Sequence, residues 1–86
     1  MLSLSKTLGG NIRSKRVLKR ISQDGLALLC GLDRSYMGRI ERGEVNITVE
    51  KLYKIAECLQ CSPADLLPSM KEVNTSEKSF QSAGSR

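Results

Sequence analysis

Three arginines and a serine lie within residues 34–42, a stretch with the spacing of a short helix. On a helical wheel of about 100° per residue, Met37 and Ile40 share a narrow apolar face, with Tyr36 at its edge. Arginine can donate two hydrogen bonds to O6 and N7 of guanine, and a serine hydroxyl can bond several base edges. The pattern favours a helix that reads bases in the DNA major groove over a helix whose polar face is merely solvated. The residues on that opposite, polar face are Arg34, Ser35, Gly38, Arg39 and Arg42.

A glycine in the middle of this predicted helix needs an explanation, because glycine costs about 1 kcal/mol of helix stability relative to alanine. The wheel places Gly38 on the exposed polar face. Without a side chain there, the backbone could approach a base edge or a thymine methyl closely. We therefore expect Gly38 to be exposed and to lie against the DNA.

A charged residue occupies a core position in the first predicted helix. Leu4, Leu8 and Ile12 recur every four residues on one face, and the next position of that stripe is Arg16. Glu41 lies at the border of the buried face of the arginine-rich helix. We predict a buried ion pair between Arg16 and Glu41, and losing either partner should cost about 3–5 kcal/mol. An exposed Arg16 is the alternative.

The charge of the chain favours a polyanionic partner. The formal charge of the 86 residues is +5, and residues 13–20 carry five basic groups and no acid. In a small, aromatic-poor domain this favours DNA over an acidic protein, although a solvated basic surface would have the same composition. The chain has no histidine, no glycine-rich phosphate loop and no nucleophile with an evident base, so we expect neither an enzyme nor a cofactor.

The three cysteines, Cys30, Cys58 and Cys61, are predicted to pack as small apolar side chains. An odd number in a chain without a signal-peptide pattern argues against a disulfide framework. Cys58 and Cys61 have CxxC spacing but lack enough further ligands for zinc, so no metal is expected. No apolar run reaches the roughly 20 residues of a membrane span, and we expect a cytoplasmic protein.

The elements that must position these residues are predicted to be five helices, an all-α fold without strands. The first spans about 4–19, and the fifth is a stub that ends at Pro68. The domain is predicted to cover residues 1–68, and the serine-rich segment 69–86 to be a flexible or partner-docking tail. The predicted caps and stops are Ser22 and Gly31 for the second helix, Asp33 and Gly43 for the third, Thr48 for the fourth, and Ser62 with Pro63 and Asp65 for the fifth. The predicted core residues are Leu26, Ala27, Leu29 and Cys30 in the second helix and Val49, Leu52, Ile55, Ala56 and Leu59 in the fourth.

A short turn that begins with a glycine joins the second and third helices, as in a helix-turn-helix unit, here over about residues 22–42. The start of the second helix, at Ser22 and Gln23, would then face the same side as the arginines. Its free backbone N–H groups and the Gln23 amide could hold a DNA phosphate there.

Residues 12–67 resemble the lambda-repressor-like (Cro/cI, Xre-type) helix-turn-helix domains. The resemblance rests on "SQ" opening the second helix, "LA" within it, "IERG" closing the third, "NIT" before the fourth, and the "L…IA..L" face after it. The stretch "LDRSY" also resembles the recognition helix of restriction–modification controller proteins. The resemblance implies a five-helix domain that binds duplex DNA as a homodimer on a palindromic operator and regulates transcription as a repressor or autoregulator. An antitoxin of the same fold, which binds a toxin partner, is the alternative.

The resemblance also implies roles for individual residues. The phosphate-holding glutamine of the family matches Gln23, and its ion pair between the first and third helices matches Arg16 and Glu41. Further phosphate contacts match Arg42, Asn46 and Thr48, while the base-reading positions match Arg34, Ser35, Tyr36 and Arg39.

Two positions depart from the family pattern, because Arg20 and Gln60 stand where a helix usually ends in glycine. Arg20 implies a strained or differently shaped turn, or an added phosphate contact. The dimer surface is expected on the fourth and fifth helices with the tail, near Tyr53 and Leu67.

Overall fold

The computed structural model describes residues 3–73, which form helices and no strand. The predicted all-α, five-helix fold is therefore confirmed. A further short helix lies inside the segment predicted to be a tail, and the rest of that segment, residues 74–86, is outside the described part of the chain. In order, the helices are α1 (Leu4–Leu18), α2 (Gln23–Cys30), α3 (Arg34–Glu41), α4 (Val49–Leu59), α5 (Pro63–Leu66) and α6 (Met70–Val73).

The predicted N-caps are confirmed. Ser22, Asp33 and Thr48 each accept hydrogen bonds from backbone N–H groups in the first turns of α2, α3 and α4. At α5, Ser62 and Asp65 form a capping box. These bonds satisfy N–H groups that have no partner within the helix, so each helix has a sharply defined start.

The core is aliphatic and is shared by α1 to α5. Three predicted core residues are wrong: Leu4 is 58% exposed, Leu29 59% and Val49 68%. Leu4 and Val49 lie in the first turns of their helices, before the helices reach the core, and α2 buries a narrower stripe than the apolar pattern suggested. The buried apolar residues are Ile12, Leu26, Ala27, Cys30, Met37, Ile40, Leu52, Ile55, Ala56, Leu59 and Leu66.

Helices α1 and α3 approach each other closely at Gly9. A Cβ built at Gly9 would lie 2.3 Å from the carbonyl oxygen of Ile40 and 2.7 Å from that of Glu41. Any side chain there would push the backbones of the two helices apart. Gly9 therefore sets the distance at which α1 supports the back of α3.

The turns after α1 and α4 keep a left-handed conformation without glycine. Arg20 has a φ of 60° and Gln60 a φ of 57°, in the region that L-residues enter at a cost of about 1–2 kcal/mol. At the corresponding ends of α2 and α3, Gly31 and Gly43 have positive φ values without that cost. Of the turn geometries expected at Arg20, the structure thus shows the strained left-handed one.

Candidate nucleic-acid interface

The polar face of α3 is exposed to solvent, and the opposite, apolar face is buried in the core. Met37 and Ile40 are 0% and 2% exposed, whereas Arg34, Ser35 and Arg39 are exposed. Tyr36 is half-buried at the edge of the apolar face, and Nζ of Lys51 lies 5.8 Å from the centroid of its ring. Apart from Gly38, the division into two faces is the one that the helical wheel predicts.

The expectation that Gly38 is exposed is wrong. Gly38 is buried, because the side chains of Gln23 and Arg42 lie over it. A helical wheel represents one helix alone and does not include a neighbouring helix or the conformation of a long side chain. It could therefore not predict that these two side chains bury Gly38.

Arg16 and Glu41 form a bidentate ion pair between α1 and α3. Nε of Arg16 donates to Oε2 of Glu41 at 2.7 Å and Nη2 donates to Oε1 at 3.0 Å, while Nη1 donates to the carbonyl oxygen of Ile21 at 2.9 Å. The two side chains are 10% and 2% exposed. A buried pair with this geometry compensates both charges and fixes α3 relative to α1.

Gln23, at the start of α2, joins this ion pair. Its Nε2 donates to Oε1 of Glu41 at 2.9 Å. Ser22, beside it, uses its hydroxyl to cap the helix by accepting from the N–H of Gly25 at 2.9 Å. The amide proposed to hold a phosphate is thus oriented by the same carboxylate that anchors α3.

Two side chains at the start of α3 are held by carboxylates. Nη1 of Arg34 donates to Oδ2 of Asp24 on α2 at 3.1 Å, and the Ser35 hydroxyl donates to the carboxylate of Asp33. The Ser35 hydroxyl and the backbone N–H groups of Tyr36 and Ser35 lower the pKa of Asp33 below its usual value. Within residues 3–73, Arg39 is exposed and its guanidinium forms no hydrogen bond, although, after the hydrogen bond from Arg42, its charge contributes to lowering the pKa of Glu44.

The residues that follow α3 in the chain form one border of the candidate interface. Arg42 donates from Nε to Oε2 of Glu44 at 2.8 Å, and this hydrogen bond lowers the pKa of Glu44. Asn46 accepts a short hydrogen bond from the Ser5 hydroxyl at the start of α1. Thr48 caps α4, so its hydroxyl already accepts the N–H of Lys51 at 3.1 Å. Arg20 is exposed in the turn between α1 and α2.

The cysteines pack against the core in line with the sequence prediction. Burial, and then the hydrogen bond with Cys58, raise the pKa of Cys30 to about 12, and burial raises that of Cys61. The described residues contain no group of three or more histidine, cysteine, aspartate or glutamate side chains that could hold a metal ion. No helix in this part of the chain has the length and apolarity required to cross a membrane.

Several residues that matter here were missed by the sequence analysis. Asp24 pairs with Arg34 and Glu44 pairs with Arg42, and neither carboxylate was predicted to contact an arginine. No local pattern could have found the Arg34–Asp24 pair, since it depends on how α2 packs against α3, whereas Arg42 and Glu44 are only two residues apart along the chain. Gly9 carried no signal that separates it from the adjacent Gly10.

Two short helices joined at Gly31, the second with exposed arginines and the first with a polar start, define a helix-turn-helix domain. A helix-turn-helix family model matches residues 12–66. Control protein C.SmaI of Serratia marcescens is 38% identical over 66 residues, which cover 77% of this chain and 79% of that protein.

Solved structures agree with this match. The restriction–modification controller protein C.AhdI of Aeromonas hydrophila has 40% identity and a TM-score of 0.70, covering 72% of this chain and 94% of that one. The DNA-binding domain of the P22 C2 repressor has 31% identity and a TM-score of 0.67, covering 72% of this chain and 82% of that one. The chain belongs to the helix-turn-helix family and is a DNA-binding transcriptional regulator, which confirms its resemblance to lambda-repressor-like domains and controller proteins.

Proposed function

We propose that the protein is a cytoplasmic homodimer that binds a palindromic operator and controls transcription as a repressor or autoregulator, in the manner of a restriction–modification controller. The observation that carries the proposal is the exposed arginine face of α3, anchored to the core by the buried Arg16–Glu41 pair. The controller proteins among its relatives support the biological setting. The proposed activity is binding and not catalysis, and it requires neither cofactor nor metal.

We assign base reading to the exposed front of α3, namely Arg34, Ser35 and Arg39, with Tyr36 at its edge. Arg39 is the strongest of these, because its exposed guanidinium can present two parallel N–H groups to guanine. Arg34 keeps further N–H groups for a base when one nitrogen bonds Asp24.

We assign phosphate contacts to the border of this surface. Such contacts set the register of the protein on the duplex and carry no direct sequence information. The start of α2 contributes backbone N–H groups, and the segment after α3 contributes an arginine and two polar side chains. The assigned residues are Ser22, Gln23, Arg42, Asn46, Thr48 and Arg20.

The dimer surface is proposed on α4 and α5. Val49 and Tyr53 on α4 and Leu67 at the end of α5 are 68%, 59% and 48% exposed, and exposed apolar side chains of this kind can be buried in a protein interface. A two-fold dimer would place its two α3 helices in major grooves about 34 Å apart or a near multiple. Tyr53→Asp should therefore produce monomers in sedimentation equilibrium without lowering helicity. An unchanged dimer would refute this surface.

The test of DNA recognition begins with selection of an operator from a randomised duplex library. Wild-type protein should bind the selected operator far more tightly than random duplex, with an affinity that falls steeply with salt. Arg39→Ala should reduce discrimination at one base pair by about 1–3 kcal/mol. Lys71→Ala, which removes the same charge from the exposed part of α6, is the matched control and should preserve discrimination.

Equal affinity for selected and random duplex at physiological salt would refute the proposed function. The alternative of an antitoxin would appear instead as a protein partner that co-purifies in fixed stoichiometry.

A further inference from the structure

A lysine of α4 lies over the aromatic ring in the first turn of α3. Nζ of Lys51 is 5.8 Å from the centroid of the Tyr36 ring. Both side chains are half-buried, and Tyr36 also packs against the aliphatic core. The surroundings of the ring are therefore set by the core and by a cation that a different helix supplies.

The Lys51 ammonium is not committed to a carboxylate. Among residues 3–71 the ion pairs are formed by Arg16, Arg34 and Arg42, and Lys51 forms none. A cation within about 6 Å of a ring centroid is attracted by the negative face of the ring. The methylene stem of a lysine can also lie along apolar surface while its ammonium stays in water. Lys51 thus suits a ring that is half-buried at the rim of the core.

The backbone of Tyr36 is fixed independently of Lys51. Its N–H donates to the Asp33 carboxylate at 3.3 Å, as part of the N-cap of α3. The side chain can still rotate about its two torsion angles. A cation over the ring favours one orientation of that side chain and leaves the path of α3 unchanged. Lys51 therefore acts on the ring and not on the helix that carries it.

We propose that Lys51 is a positioning residue for DNA reading, which holds the Tyr36 ring in the orientation that meets one base pair of the operator. Lys51 itself contacts neither base nor phosphate in this arrangement. The inference rests on the proposed function, in which Tyr36 reads a base at the edge of α3. It extends that function, because it makes specificity at one base pair depend on a residue of α4, outside the helix-turn-helix unit.

The test measures discrimination by fluorescence anisotropy, as the ratio of affinities for the selected operator and for its single-base-pair variants. Tyr36→Leu, which keeps an apolar side chain against the core, identifies the base pair that Tyr36 reads. Lys51→Met keeps a side chain of similar length without the charge. It should reduce discrimination at that base pair about 2- to 5-fold, the equivalent of one cation–π contact at an exposed site. Lys51→Arg should preserve discrimination, since a guanidinium is also attracted to the ring face.

Two further variants separate positioning of the ring from loss of charge. Lys71→Met removes the same charge from the exposed part of α6 and should leave discrimination unchanged at every base pair. The double variant Tyr36→Leu with Lys51→Met should discriminate as Tyr36→Leu does alone, because Lys51 acts through the ring. Lys51→Met should also bind random duplex as Lys71→Met does and melt within a few degrees of wild type.

Unchanged discrimination in Lys51→Met, or a further loss when it is added to Tyr36→Leu, would overturn the inference. Weaker binding of every duplex than in Lys71→Met, with a salt slope reduced by about 1, would also overturn it, because Lys51 would then contact a phosphate. If Tyr36→Leu keeps full discrimination while wild type prefers its operator, the inference fails together with the Tyr36 assignment, and operator binding stands. If wild-type protein shows no salt-dependent duplex binding, the proposed function itself fails.

Discussion

The Glu41→Ala substitution would remove a carboxylate that organises three parts of the molecule. The Glu41 side chain is 2% exposed and accepts hydrogen bonds from Nε and Nη2 of Arg16 at 2.7 and 3.0 Å, and from Gln23 at 2.9 Å. Alanine would leave the Arg16 guanidinium, whose side chain is 10% exposed, with its hydrogen bond to the Ile21 carbonyl but without a counter-charge. Breaking a buried pair in this way costs about 3–5 kcal/mol.

For a domain of this size, each kcal/mol corresponds to about 4–8 °C in melting temperature, so Glu41→Ala should lower Tm by at least about 12 °C. Circular dichroism during heating measures this shift, and urea titration measures the loss of unfolding free energy. Glu57→Ala, on the exposed side of α4, is the matched control and should stay within about 0.5 kcal/mol of wild type.

A double variant separates the charge from the packing. Arg16→Met with Glu41→Leu removes both charges together, and an apolar pair of similar volume should recover most of the lost stability. Gln23 would still lose its acceptor, so DNA affinity should remain below that of wild type. If Glu41→Ala alone stays within about 1 kcal/mol of wild type, the argument that this pair anchors α3 is refuted.

Two further predictions concern the turns and the core thiol. Arg20→Gly and Gln60→Gly should each raise the unfolding free energy by about 0.5–1 kcal/mol. Glycine adopts the left-handed conformation without strain, although its greater conformational entropy in the unfolded chain offsets part of that gain. Urea titration measures the change, and an unchanged unfolding free energy at both positions would show that neither turn is strained. Burial holds the pKa of Cys30 at about 12, above its usual 9.0, so the unfolded thiol ionises first and the stability that it contributes below pH 9 is lost as pH rises towards 12. Cys30→Ala should therefore lose stability less steeply than wild type across that interval, and parallel curves would refute this reasoning.

The parts of the fold that follow from local chemistry could be predicted from the sequence. Ser22, Asp33 and Thr48 precede helical patterns, and a cap depends on residues two or three positions away along the chain. The opposition of Arg16 and Glu41 could also be inferred, since a charge on an apolar stripe requires a partner. The caps could be predicted from one helix at a time, and the ion pair from two charged residues that each interrupt the apolar face of a helix. Neither prediction requires knowledge of how the whole domain packs.

The features that could not be predicted depend on how closely neighbouring helices pack. Leu29 continues an apolar pattern in α2, yet it faces solvent because α3 and α4 cover a narrower stripe than the composition suggests. Gly38 has the same position on a wheel whether or not Gln23 reaches over it. The role of Gly9 is set by the backbone of α3, which lies about 30 residues away in sequence.

The contacts of α3 fall into two kinds, and the difference bears on how the proposed interface works. Glu41 and Arg16 are buried, and a phosphate cannot replace a carboxylate there without exposing the core. The Arg34–Asp24 pair is different, with side chains 73% and 61% exposed, and an exposed pair of this kind is worth about 0–1 kcal/mol. A DNA base or phosphate can therefore take Arg34 from Asp24 at small cost, and Arg42 from Glu44 in the same way. In the free protein, Arg34 and Arg42 are paired with exposed acids that DNA can displace, while the orientation of α3 itself is fixed by the buried Arg16–Glu41 pair, which does not exchange. Specific readout requires both, because a base contact discriminates only when the helix that carries it cannot shift to accept the wrong base.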